Sequence, residues 1–100
     1  MSSINLNIPH NLSQEEALSR IKGMLTKVKQ EHSDKINDVK EEWDNSSGQF
    51  QFNVQGFDLS GLIKVNPSNV EINGKLPFAL SFFKGKIAQM ISDKAREILA

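Results

Sequence analysis

Apolar and polar residues alternate with a period of two in five stretches of this chain, a period typical of β-strands with one buried face. The predicted strands cover, by residue number, 2–8, 36–44, 49–55, 57–66 and a short last stretch around 70–72. The alternation is cleanest in the third of these, where Phe50, Phe52 and Val54 share one face and amide side chains share the other. These strands predict a sheet with one apolar face.

Sequence context places two of the strands more closely. Charged residues surround Val39 and Trp43 in the strand 36–44, so we expect this strand at or near a sheet edge, where charge discourages pairing with another chain. A loop at 45–48 follows it. The pair Asn73-Gly74 tolerates the positive φ angles of tight turns and is expected to end the last strand.

The strand 57–66 carries one apolar residue on its polar face. Its inward positions are predicted to be Phe57, Leu59, Gly61, Ile63 and Val65. Leu62 falls among the outward positions, with Asp58, Ser60 and Lys64. We therefore count Leu62 among the candidates for an apolar contact outside the core.

Two stretches have the apolar spacing of amphipathic helices. Ser13 and Glu16 form a capping box, and apolar residues then recur at helical spacing as far as Val28. The second helix starts past Leu76-Pro77, and its apolar stripe consists of Leu80, Phe83, Ile87, Ile91, Ala95 and Ile98. The element order β-α-β-β-β-β-α predicts a two-layer α+β fold, with an antiparallel meander and both helices on its apolar face.

Composition and charge limit the size and the partners of this protein. The 100 residues include 12 basic and 12 acidic side chains and no cysteine. We expect residues 1–100 to form a single soluble domain, without the positive field that nucleic-acid binding requires. No apolar run approaches the ~20 residues of a membrane span, and no secretory signal is recognised, so the expected location is the cytoplasm.

Candidate catalytic groups are scarce in the sequence. His10 and His32 are the two histidines, and neither has the spacing of a metal ligand. His10 lies just before the capping box, where its ring can hydrogen-bond the loop or the start of the helix. A catalytic role for His10 would need a carboxylate beside it in a cleft. We therefore predict no enzymatic activity, no catalytic residue, no metal and no cofactor.

The start of the last helix is more apolar than a core requires. Phe78, Leu80, Phe82 and Phe83 fall within one short stretch, so this turn is apolar nearly all round. Either another part of the chain or a second copy covers it, or it forms an exposed patch or the mouth of an apolar pocket. The residues predicted for this surface or pocket are Leu62, Phe78, Phe82, Phe83, Ile87 and Met90.

Many weaker markers occur together and in order along nearly the whole chain. They are His10, Leu12, Glu16-Ala17, Arg20, Trp43, Phe50, Phe52, Gly56, Ser60-Gly61, Val65, Val70, Leu76-Pro77 and the run Phe83-Lys84-Gly85-Lys86-Ile87. In this order and spacing the chain resembles the small bacterial proteins of the polyhydroxyalkanoic acid system (granule-region) family.

The resemblance implies a non-enzymatic cytoplasmic accessory protein that acts at or near a hydrophobic storage granule. The partner predicted for the apolar surface is such a granule, another protein or a second copy in a homodimer. The element order is also similar, more loosely, to helix-grip proteins, in which a curved sheet wraps a long C-terminal helix. The alternative function is therefore a small carrier of a fatty-acid-like or hydroxyacyl ligand between sheet and helix.

Overall fold

The computed structural model describes residues 2–31, 33–54 and 56–100, so Met1, His32 and Gln55 lie outside the described residues. The strands are β1 (Ser2–Pro9), β2 (Ile36–Asp44), β3 (Ser47–Val54), β4 (Phe57–Val65) and β5 (Asn69–Leu76). The helices are α1 (Gln14–Lys22), α2 (Met24–Glu31), a 3₁₀ helix (Phe78–Phe83) and α3 (Lys84–Leu99).

The five strands form one antiparallel sheet in the order β1-β5-β4-β3-β2. Strands β2 to β5 are a meander, and β1 returns to pair with β5. The charged strand β2 lies at one edge, as its sequence predicts. Helix residues and one face of the sheet share the same buried clusters, so the two-layer α+β fold and its element order are confirmed.

The core consists of two neighbouring clusters between the sheet and the helices. The larger one contains the buried residues Ile8, Ala17, Ile21, Met24, Phe50, Ile63, Val65, Val70, Ile72, Ala95 and Leu99. The smaller one is built from Ile4, Leu59 and Leu76, against which Leu80 and Ile87 pack. The smaller cluster therefore joins the sheet to the 3₁₀ helix and to the first turns of α3.

Two segments predicted as turns or loops belong to strands. Asn73 and Gly74 continue β5, because this strand is central and pairs with β1 on one side and β4 on the other. Ser47 and Gly48 open β3, so that only Asn45 and Ser46 connect it to β2. Asn45 has a φ of 56°, which makes this tight reversal possible.

Both predicted helices are divided in the structure. Gly23 ends α1 as its C-cap, and its carbonyl accepts a hydrogen bond from the Lys27 amide as α2 begins. The C-terminal helix opens with the 3₁₀ helix before α3, and the amide of Leu80 donates to the carbonyl of Pro77. A 3₁₀ helix has three residues per turn, so this change alters which side chains before Lys84 face the core, although Leu80 still does.

Arg20 connects α1 to the end of α3. Its Nη1 donates to the carbonyl oxygens of Ile98 at 3.2 Å and Ala100 at 2.7 Å, and its Nε bonds Glu16 at 3.0 Å. A guanidinium at this position satisfies carbonyls that have no partner within the helix and lies at the negative end of the helix dipole. Glu16, whose amide donates to the Ser13 hydroxyl at the start of α1, thus orients an arginine that holds the C-terminal end of α3.

Replacing Arg20 is expected to destabilise the fold more than replacing an arginine of α3 itself. Arg20→Met keeps the aliphatic stem but removes all donors, so we expect the free energy of unfolding to fall by about 1–2 kcal/mol. Arg96→Met is the matched control, because Arg96 is exposed and its side chain bonds Ser92 within the same helix. Urea unfolding measures both, and equal losses would contradict the cap.

A second polar contact joins α2 to α3. The Lys94 ammonium bonds Glu31 at 2.9 Å and lies 3.7 Å from Glu97. The hydrogen bond to Glu31 raises the pKa of Lys94, against a smaller opposing effect of burial. Because the pKa is raised by folding, this contact stabilises the fold below the pKa of the unfolded lysine and is lost at strongly alkaline pH.

Candidate functional site

Four apolar side chains at the start of the C-terminal helical segment are exposed. The exposed fractions are 81% for Phe78, 95% for Phe82, and 55% each for Phe83 and Met90. We call these four residues the phenylalanine surface. Most exposed apolar residues on proteins are isolated, so three phenylalanines and a methionine within 13 positions form an unusual concentration.

The 3₁₀ helix determines which of its side chains stay outside. Leu76 is buried at the end of β5, and Pro77 starts the turn that follows. Leu80 packs against the smaller core cluster and anchors the 3₁₀ helix to the sheet. None of the residues of this helix is fully buried, and Phe78 and Phe82 lie on either side of its anchor.

Helix α3 continues the surface by one further turn. Ile87 is half-buried and packs against the smaller cluster, so it connects the surface to the core. Met90 is exposed on α3 and extends the surface along this helix. Five of the six predicted residues thus lie on one segment, 78–90, with Ile87 as its inner member.

Leu62, the sixth predicted residue, lies on the opposite face of the sheet. Its neighbours Ile63 and Gly61 face the helices, and Leu62 is paired across the sheet with Gln49 and Asn73. It is 52% exposed among polar side chains. Alternation along β4 predicts this orientation correctly, and it places Leu62 on the face of the sheet that does not carry the helices.

Lysines are the charged residues of the sequence stretch that carries the phenylalanine surface. The stretch 72–92 contains Lys75, Lys84 and Lys86 and no acidic residue. Lys84 and Lys86 are exposed in the first turn of α3, where no acidic side chain is present. A cation at this end of a helix opposes the helix dipole at a cost of several tenths of a kcal/mol. Sequence reasoning missed this basic border, although the absence of acidic residues over 72–92 was its signal.

Two open depressions lie elsewhere on the described residues. One of about 350 Å³ is lined by residues of β2 and β3, including Lys40 and Gln51. The other, of about 520 Å³, extends from β2 across to β5 and includes Leu62. Neither touches the 3₁₀ helix or α3. Leu80 and Ile87 pack against the smaller core cluster below α3, the region between sheet and helix where the alternative function, a ligand carrier, would hold its ligand.

His10 is buried, with 8% of its surface exposed. Its Nδ1 accepts a hydrogen bond from the Leu12 amide at 3.1 Å, so Nε2 carries the proton and donates to the Asn66 carbonyl at 3.0 Å. Both ring nitrogens are therefore engaged by main-chain atoms. The role expected from its position before the capping box, a hydrogen bond to the loop, is what the structure shows.

The described part of the chain offers no cluster of three or more metal-binding side chains. Among the same residues, no helix is both long and apolar enough to cross a membrane.

Comparison with known proteins gives one result. A family model described as a putative polyhydroxyalkanoic acid system protein matches residues 4–99, which is nearly the whole chain. No curated protein and no solved structure matches the chain. The match includes most of β1, the other four strands and the phenylalanine surface. The chain belongs to the polyhydroxyalkanoic acid system (granule-region) family.

Proposed function

We propose that this protein is a non-enzymatic cytoplasmic accessory protein that attaches to a hydrophobic storage granule through the phenylalanine surface. The observation that carries the proposal is the exposure of Phe82 and Phe78, at 95% and 81%. The family is named for the polyester storage system, and a polyester particle presents an apolar surface to water. Phenylalanine is suited to such contact because it supplies a large area with few rotamers to restrict.

The exposed area is sufficient for attachment. A phenylalanine side chain buries on the order of 200 Å² when it is covered, so the phenylalanine surface offers roughly 500 Å² in total. Burial of this area contributes about 12 kcal/mol before the costs of association and ordering are subtracted. Lone exposed residues of the kind found at Leu62 offer only a small part of this energy.

Substitution of Phe82 tests the proposed attachment. Phe82→Asp removes the most exposed phenylalanine and places a charge at the contact, so we expect partition onto polyhydroxyalkanoate particles to fall about 30-fold. Leu62→Asp is the matched control, because it introduces the same charge at an exposed apolar site on the opposite face. Co-sedimentation with the particles measures both, and circular dichroism checks that both variants fold.

Three results would contradict the proposal. In the first, Phe82→Asp partitions like the unsubstituted protein. In the second, Leu62→Asp loses as much binding as Phe82→Asp. In the third, the protein does not bind the particles but forms a dimer that Phe82→Asp dissociates in analytical ultracentrifugation, which would assign the phenylalanine surface to a homodimer instead of a granule.

A further inference from the structure

Lys84 and Lys86, the basic border of the phenylalanine surface, make no charge interaction that stabilises the fold within the described residues. Lys84 and Lys86 are exposed, and they form no salt bridge or side-chain hydrogen bond in the described part of the chain. Glu97, which is nearer the C-terminus, lies 3.7 Å from Lys94, and Lys94 also bonds Glu31. The position of the two lysines at the positive end of α3 also works against helix stability. Two lysines held at such a place indicate a partner with negative charge.

We propose that the phenylalanine surface binds at a layer of anionic phospholipid, with its phenylalanines among the acyl chains and Lys84 and Lys86 at the headgroups. This inference rests on the proposed function, since it names the amphiphile that the same surface meets on an apolar particle. Segments that lie in a lipid interface combine aromatic and aliphatic residues with lysines at the polar boundary. The run from Phe82 to Lys86 has this composition, and both of its phenylalanines and both of its lysines are exposed.

The arrangement along the chain fits insertion to a shallow depth. The inner residues Leu80 and Ile87 remain on the core, so the segment enters the layer only as far as the exposed side chains reach. Lysine has a flexible aliphatic stem that packs along apolar surface while its ammonium stays with the headgroups. Lys84 and Lys86 closely follow the phenylalanines and are therefore placed at that boundary.

The charges also argue against a second copy as the occupant. In a symmetric dimer the same patch meets itself, so Lys84 and Lys86 of each copy would face a contact with no acidic residue between positions 72 and 92. Like charges across a contact oppose association. An anionic lipid layer has the opposite charge and accepts the same apolar residues.

Vesicle flotation with matched lysine variants tests this inference. The vesicles contain phosphatidylcholine alone or phosphatidylcholine mixed with phosphatidylglycerol, and the protein is expected to float only with the mixed vesicles. Each lysine near an anionic surface contributes about fivefold to binding, so Lys84→Gln with Lys86→Gln should weaken flotation roughly 25-fold. Lys40→Gln with Lys64→Gln removes the same charge from exposed positions on the sheet and should change it little.

A parallel assay on uncoated polyhydroxyalkanoate particles separates this inference from the proposed function. The double variant Lys84→Gln/Lys86→Gln should bind these particles as the unsubstituted protein does. Phe82→Asp should lose binding to both the particles and the vesicles. Equal flotation with both kinds of vesicle, or equal loss in the two lysine pairs, overturns the lipid inference and leaves the granule function standing. Phe82→Asp that still binds the uncoated particles overturns the proposed function itself.

Discussion

Gly61→Ala is expected to destabilise the protein by about 3 kcal/mol, because no space exists for a methyl group at this position. A Cβ on Gly61 would lie 2.5 Å from the ring of Phe50 and 2.5 Å from the carbonyl oxygen of Asn73. The ring of Phe50 can move only by disturbing the larger core cluster, to which it belongs. The Asn73 carbonyl belongs to the central strand β5 and cannot move without disturbing the sheet.

Gly74→Ala is the matched control for this substitution. Gly74 is paired directly with Gly61 across β4 and β5, but a Cβ there meets its nearest atoms only at 3.9 Å, an ordinary van der Waals distance. We expect Gly74→Ala to change stability by less than about 1 kcal/mol. Guanidinium unfolding of the two variants measures the difference, and similar midpoints would show that the Phe50 ring does not occupy the space above Gly61.

A combined variant tests which neighbour causes the loss. Phe50→Leu with Gly61→Ala removes the aromatic ring above the new methyl group but keeps the contact with the Asn73 carbonyl. We expect this variant to be less stable than Phe50→Leu alone, since the backbone contact remains. If the two have equal stability, the ring alone is responsible and the backbone has room to adapt.

The alternation of residues is sufficient to predict the sheet but not its closest contacts. It places Gly61 and Phe50 on the same inward face, which the structure confirms. It does not show that the Phe50 ring covers Gly61 or that the Trp43 indole covers Gly48, where a Cβ would lie 2.8 Å from the ring. These contacts depend on the register between strands, which a single sequence does not specify. Composition carries no information on this register, so it predicts a loop at Gly48, which the structure places in β3.

Local signals are misleading where neighbouring strands decide the structure. Asn73-Gly74 has the preferred composition of a tight turn, yet pairing with β1 and β4 keeps it extended. Gly23 is a weak helix former within the first helical pattern, and the chain ends α1 there. The conformational preference of a single residue can thus end a helix at the surface, where few contacts oppose it. It does not decide whether a segment continues as a central strand.

An excess of phenylalanine predicts the candidate surface, and the structure explains why the excess is exposed. A continuous α-helix would have placed Phe83 on the buried stripe with Ile87. The 3₁₀ helix instead leaves Phe83 55% exposed, next to Phe82. Helical spacing alone cannot distinguish the two geometries over one turn, so exposure of Phe83 could not be derived from the sequence. Leu62 could be placed outside the core but not relative to the other five residues.

His10→Leu is expected to lower the free energy of unfolding by about 2–3 kcal/mol, chiefly because two buried side-chain hydrogen bonds are lost. Leucine fills much of the buried space but provides neither the donor for the Asn66 carbonyl nor the acceptor for the Leu12 amide. These two bonds connect the residue after β1 to the β4–β5 turn and to the start of the chain that leads into α1. The Ser68 carbonyl also accepts the His10 amide at 3.0 Å, which leucine retains.

Two conservative variants separate the hydrogen bonds of His10 from one another. The side-chain carbonyl introduced by His10→Asn can replace Nδ1 as acceptor, and the side-chain amide introduced by His10→Gln can reach the Asn66 carbonyl in place of Nε2. Each variant should therefore lose about half of the stability that His10→Leu loses. Amide hydrogen exchange distinguishes them, because the Leu12 amide should stay protected in His10→Asn and exchange faster in His10→Gln. A His10→Leu protein as stable as the original would show that the ring serves some purpose other than joining these segments.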